Sequence, residues 1–255
     1  MANTERAGRL QSLLDLSHEL GREDRALAML AEGNTSTRLA GGTFLVKASG
    51  ANLAALTKED VVECCGQTLL DLFDRRELSD AEVEVALLSS RIDPVAKKPS
   101  VEALFHAWLL TLPDVEFVGH AHPVAVNSLL CSPQAREFAN KRLFPDEIVC
   151  CDARSVFVPY TDPGLPLARI IRNEVGAFMA EFSRGPRVIL MENHGIITLG
   201  RTKQAVMSAM LMAEKAANIW LGAAALGGPV FLSAENVARI ASRPDEALRR
   251  TILKI

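Results

Sequence analysis

The chain has 255 residues, 49% of them hydrophobic, with 28 Lys and Arg against 31 Asp and Glu for a formal net charge of −3. That length can bury one sizeable core without needing a second domain, and the near balance of charge excludes a general basic surface for nucleic acid or an anionic membrane. No apolar stretch approaches the ~20 residues that span a bilayer, Met1–Arg6 lacks a signal-peptide apolar core, and the five cysteines show neither disulfide-framework nor zinc-ribbon spacing, which predicts reduced thiols in a cytoplasmic protein.

Residues Thr4 to Leu20 carry Leu10, Leu13, Leu14, Leu16 and Leu20 at helical spacing and stop at Gly21. After a short second segment, Gly33-Asn34-Thr35-Ser36 reads as a small, hydroxyl-rich loop. Thr37–Leu39 and Thr43–Lys47 read as two strands turned by Gly41-Gly42, and Ala48-Ser49-Gly50 as a second polar loop. Thr57–Asp60 reads as a capped turn before a strand over Val61–Cys64. Helices are predicted over Ala81–Arg91 and Val101–Leu112, the latter with Pro99-Ser100 at its cap and Glu102 in its first turn. Val115–Gly119, bounded by Pro113-Asp114, reads as a buried strand entering His120-Ala121-His122. Val124–Leu130 is predicted helical, Ile148–Cys151 a strand and Leu165–Phe182 a long helix. Arg187–Met191 is another buried strand, ending in Glu192-Asn193-His194-Gly195. Thr202–Leu226 is an Ala- and Met-rich helix closed by Gly227-Gly228-Pro229, with short helices over Ser233–Ala241 and Asp245–Leu253. Strands and helices alternate around one hairpin, so the expected fold is α/β, a mixed sheet with helices on both faces. The expected organisation is one domain over 1–255, with 228–255 as a helical appendage free to pack on a neighbouring subunit.

On a strand, residues two apart share a face with roughly 6–7 Å between Cα atoms, so His120 and His122 can close on one ion. His194 lies at an equivalent strand-to-turn junction. Three imidazoles from two strand ends suit a catalytic zinc site whose fourth position takes a carboxylate, water or substrate, and such a set also accepts other divalent ions. Glu102 is the candidate carboxylate, and the loops at 33–36 and 48–50 can offer donors to a phosphate. Taken singly, each feature has a plain structural explanation: a hydrogen-bonded core histidine, a favourable first-turn acid, an ordinary turn. His18 reads as structural or exposed. His106, four residues after Glu102 on the same helix face, reads as a packing residue.

Taken together, Gly33-Asn34-x-Ser36, Lys47-x-Ser49-Gly50, Pro99-Ser100-x-Glu102, His120-x-His122 and Asn193-His194-Gly195 occur in one order that resembles the class II aldolase/adducin family. The resemblance runs from about residue 8 to about residue 225. Within the family the chain looks closest to the aldolase portion of rhamnulose-phosphate aldolase/dehydrogenase fusions. It implies a three-layer α/β/α sandwich around a mixed, largely antiparallel sheet, usually assembled as a homotetramer with sites near subunit interfaces. His120, His122 and His194 would be zinc ligands, and Glu102 a carboxylate that can ligate the resting metal and swing off as acid or base. Asn34, Ser36, Ser49, Gly50 and Ser100 would hold the substrate phosphate. The implied activity is metal-dependent cleavage of a ketose 1-phosphate, or related sugar, into dihydroxyacetone phosphate and an aldehyde through a zinc-stabilised enediolate.

Sugar-acid-phosphate decarboxylases, dehydratases and 4-epimerases of the family are the neighbouring alternatives, although its epimerases tend to carry Asp where Glu102 stands. A non-catalytic, adducin-like scaffold is the reading from another class. The retained histidines and Glu102 stand against it. Two departures matter. Val101 replaces the second hydroxyl of the aldolases' Pro-Ser-Ser-Glu, and Tyr160, the single tyrosine, lies in Val158-Pro159-Tyr160 and not at the family's proton-donor position.

Overall fold

A computed structural model describes residues 2–255. Its sheet has seven strands in the order β3-β2-β1-β4-β7-β6-β5. These are β1 (Asn34–Arg38), β2 (Thr43–Lys47), β3 (Val61–Cys65), β4 (Phe117–Ala121), β5 (Val156–Val158), β6 (Val188–Met191) and β7 (Gly195–Gly200). All neighbouring pairs run antiparallel except β5 and β6, the mixed, largely antiparallel sheet expected.

Helices cover both faces. The first layer packs α1 (Ala2–Leu20), with later α5 (Val124–Leu130), α6 (Ala135–Asn140), α7 (Pro145–Cys151) and α9 (Lys203–Ala224), against one face. The second holds α2 (Gly66–Leu70), α3 (Asp80–Ser89), α4 (Ala103–Leu109) and α8 (Leu165–Phe182). Strand alternation sorts the side chains: on β4, Phe117 and Ala121 join the α1/α9 core, and Val118 the α4/α8 core. Gly119 lets α9 come close, since a Cβ there would sit 2.7 Å from Val206 Cγ1. The tail after Gly228 forms α10 (Ala234–Ser242) and α11 (Pro244–Leu253), both packed on α7 of the same chain. The five cysteines are free, and no helix is long and apolar enough to cross a membrane.

Several expectations are corrected. Asn34–Ser36 is not a loop but buried strand, with Ser36 paired to Val46 on one side and Val118 on the other. Small hydroxyls are tolerated there because each finds a partner: Thr35 meets Ser17 at 2.6 Å, and Ser36 meets His106 at 2.7 Å. Ile148–Cys151 is not a strand but the end of α7, which Pro145 starts and Asp146 and Glu147 favour in its first turn. Enclosed by α9, α10 and α11, those four residues are all buried, and an unbroken apolar run has no period to separate helix from strand. Residues 131–146 contain α6 and the buried Arg142, whose guanidinium donates to Asp152 O at 2.7 Å and Ser155 Oγ at 2.9 Å. The helix around Glu102 is shorter than expected. It begins at Ala103 and leaves Val101 and Glu102 in the preceding turn. Strands β5 and β7 had no expectation: β5 is three residues long, and β7 follows the histidine turn without a break.

Candidate metal and anion site

Strand register assembles the site. Pairing of β1 with β4 sets Asn34 opposite His120. The hairpin of β6 and β7 closes at Met191 and Gly195, which leaves Glu192-Asn193-His194 as a three-residue turn beside the end of β4. Asn193 sits at φ +53°, a left-handed position that asparagine tolerates. Asn127 of α5 anchors the turn by donating Nδ2–H to His194 O at 3.0 Å. The glycine after His194 is demanded by space: a Cβ at Gly195 would lie 2.6 Å from both Ala121 O and His122 Cδ2.

This brings one nitrogen each of His120, His122 and His194 within 4.8 Å of one another. His120 is fully buried, and its Nδ1 lies 3.0 Å from Ile196 O. A carbonyl only accepts, so Nδ1 carries the proton and Nε2 turns its lone pair into the cluster. That Nε2 is 3.1 Å from His122 Nε2. Glu102 completes the group, with Oε1 at 3.4 Å from His120 Nε2 and 3.3 Å from His194 Nε2, while Oε2 accepts from Asn34 Nδ2. Metal–ligand bonds of ~2.0–2.1 Å in a tetrahedron place donors roughly 3.3 Å apart. These donors therefore fit a divalent cation.

Two of these groups are held in the forms that ligate metals. Burial raises the Glu102 pKa, but His120 and His194 outweigh it and hold the carboxyl well below its usual range. Burial, with the nearby His120 and His194, pushes His122 down to about 3. An ionised carboxylate and a neutral imidazole are the forms that ligate metals.

The expected anion residues divide. Ser49 and Gly50 are exposed, and Ser49 N–H donates to Lys98 O at 2.9 Å. That contact, with the Ala48–Pro99 bridge, puts their loop beside Ser100, whose Oγ accepts from Glu102 N at 3.3 Å. Asn34 is buried against Glu102. Ser36 is fully buried with its hydroxyl engaged by His106, so it sits beneath the site and not among the exposed donors. His106 is a packing residue stacked on Phe105 with ring centroids 4.7 Å apart. His18 is structural, with Nε2 at 2.8 Å from Leu56 O. Tyr160 is exposed, with its hydroxyl donating to Asp162 Oδ1 at 3.1 Å and its N–H to Glu192 Oε2 at 3.1 Å.

Two neighbours of the site had no role assigned from the sequence. Glu32 places Oε2 3.6 Å from His122 Nδ1. Lys47, 2% exposed, donates Nζ–H to Ala31 O at 3.2 Å and Ala51 O at 2.7 Å. It thereby ties the turn bearing Glu32 to the loop bearing Ser49 and Gly50. A signal for it exists in Phe44-Leu45-Val46-Lys47, since a lysine closing an apolar strand is costly to bury unless something inside receives it.

The model of the Class II Aldolase and Adducin N-terminal domain matches residues 11–221, and the chain belongs to that family. It is 28% identical over 214 residues to the uncharacterized oxidoreductase YuxG of Bacillus subtilis (strain 168), covering 79% of this chain and 28% of that protein. It is 28% identical over 204 residues to the rhamnulose-1-phosphate aldolase of Enterococcus faecalis (strain ATCC 700802 / V583), covering 76% and 66%. A shorter match to the decarboxylase NovR of Streptomyces niveus is 33% identical over 131 residues, covering 51% and 44%. The chain thus spans between 28% and 66% of the length of these relatives. Among solved structures, an L-fuculose 1-phosphate aldolase shares the fold with a TM-score of 0.68 at 18% identity, over 92% of this chain and 94% of that one.

Proposed function

We propose that the chain is a zinc-dependent carbon–carbon lyase that cleaves a ketose 1-phosphate into dihydroxyacetone phosphate and an aldehyde. The observation that carries this reading is the convergence of His120, His122 and His194 within 4.8 Å, with Glu102 Oε1 within 3.4 Å of two of them. The three imidazoles hold the ion, and Glu102 is the exchangeable fourth ligand. When bound, a divalent cation supplies Lewis acidity toward the substrate carbonyl and the enediolate that cleavage leaves, an effect worth several kcal/mol. The residues do the rest. A base takes the C4 hydroxyl proton as the C3–C4 bond breaks, and Glu102, ionised and steered by Asn34, moves the proton at C3. Exposed Ser49 and Gly50 and half-buried Ser100 offer the donors for the phosphate. Asn34 and Ser36 stand behind them, acting through Glu102 and His106. A cytoplasmic homotetramer belongs to the same proposal and is checked by light scattering of the purified chain.

Decarboxylation of a sugar-acid phosphate, which leads to the same kind of enolate, is the second reading. The similarity to a decarboxylase supports it. Proton NMR of dihydroxyacetone phosphate in D₂O separates the two. Loss of the C3 proton signal with zinc-loaded protein, absent after chelation, is the expected result. No exchange with one zinc bound per chain overturns the aldolase reading in favour of decarboxylation.

A further inference from the structure

A second site lies at the opposite end of the sheet. His194 follows Met191 at one end of β6, and Arg187 precedes Val188 at the other, a separation of roughly 13 Å along four residues of strand. Arg187 opens onto a cavity of about 760 Å³ whose lining also includes Arg184, Arg201, Arg250, Lys254 and Asp114. That volume is in the usual range for small-molecule sites.

The charge in this cavity is lopsided. Arg201 pairs with Asp114 at 3.1 Å, and Arg184 pairs with Asp152. Among the described residues Arg187 and Arg250 have no carboxylate partner. Both reach neutral acceptors instead: Arg187 Nη1 and Arg250 Nε each donate to Val149 O at 3.3 Å, and Arg250 Nη1 and Nη2 both donate to Ala241 O at 3.4 Å. Two guanidiniums on one carbonyl oxygen hold like charges together beside open space. Burial and the Arg250 charge both pull Arg187 below the ordinary guanidinium value. Carboxylates are abundant in a chain of net charge −3, yet none neutralises this pair. Such an arrangement costs stability, and an anion that accepts from the remaining N–H groups of both guanidiniums offsets the cost.

We propose that this cavity binds a phosphorylated small molecule, its phosphoryl group held between Arg187 and Arg250 and a second anionic group directed toward Lys254. Paired guanidinium forks match tetrahedral oxyanions better than an ammonium does. The site shares no residue with the histidine centre, so it stands whether or not the lyase reading holds.

Calorimetric titration of the full chain with inorganic phosphate and with ADP, at fixed ionic strength, tests the site. The reference protein carries Ser49→Ala and Ser100→Ala, which removes the two serine hydroxyls proposed to hold phosphate at the histidine end. Saturable phosphate binding is expected in this background, weakened at least ~10-fold by Arg250→Gln, as loss of a charged hydrogen-bond donor implies, and partly restored by Arg250→Lys. Tighter binding of ADP marks a nucleotide as the ligand, and equal or weaker binding a simpler phosphate ester. Lys254→Gln, in the chain beyond α11, serves as a second variant should Arg250→Gln fold poorly, with several-fold weaker ADP binding expected. Absence of saturable binding in the reference protein, or an affinity unchanged by Arg250→Gln, overturns the proposal.

Discussion

Glu102 shows how a residue acquires a role from its surroundings. A carboxylate in a helix's first turn is ordinary, but here it is withdrawn from solvent, turned by Asn34 and faced by two imidazoles. Glu102→Gln keeps the shape and removes the charge that accepts protons. Turnover is expected to fall at least ~10²-fold, with zinc content close to one per chain by atomic emission; near-normal turnover would remove Glu102 from the chemistry. His106 makes a different prediction. Burial lowers its pKa to about 3, against an ordinary 6.5, so between those values the unfolded chain binds a proton that the folded chain refuses. Its stability contribution is complete above pH 6.5 and is lost as the pH falls toward 3, by up to ~1.4 kcal/mol per pH unit. Urea unfolding of His106→Gln should therefore show a shallower acid-side slope than the parent. An identical slope would mean that this histidine is protonated in the folded state.

At the scale of elements, position depends on what each helix is packed against. Trp220 on α9 is 1% exposed, edge-on to Phe138 of α6 with centroids 5.7 Å apart, and its indole N–H donates to Gln134 Oε1 at 2.7 Å. Trp220→Ala should cost about 3–5 kcal/mol, measured as a lower urea midpoint. A cost below ~1 kcal/mol would show that α6 and α9 are not packed as described. The same packing explains what was legible. The long helices α8 and α9 announced themselves by periodicity and by their glycine and proline ends. In α7 the apolar stripe merges into Ile148-Val149-Cys150-Cys151, because neighbours enclose it on several sides and burial erases the polar half of the pattern. β1 misled in the opposite direction: Asn34, Thr35 and Ser36 are loop-like in composition, and only partners from α1 and α4 make them acceptable inside a sheet.

For the whole molecule, the candidate ion links the sheet's two halves, since His120 and His122 end β4 and His194 begins the approach to β7. A ligand bound to the folded chain alone, at a hundredfold excess over its Kd, stabilises by about 2.7 kcal/mol. For a chain of this size that is roughly 5–10 °C. Chelation should lower Tm by that amount and zinc should restore it, whereas His122→Ala should melt at one temperature with or without chelator. Chelation without effect on the parent would mean that no ion bridges these strands.

By itself the sequence determined the α/β alternation, the spans of the long helices and three histidines with one carboxylate at element ends, because periodicity, caps and strand spacing are local properties that survive in one dimension. The tertiary structure alone decided that Ser36 lies beneath the site while Ser49 and Ser100 line its rim, that Glu32 and Lys47 belong beside it, and that Arg187 meets Arg250 from 63 positions away in chain order. Those outcomes depend on register and on which side chain reaches which partner. Both are settled by the packing of distant segments, which no local pattern records.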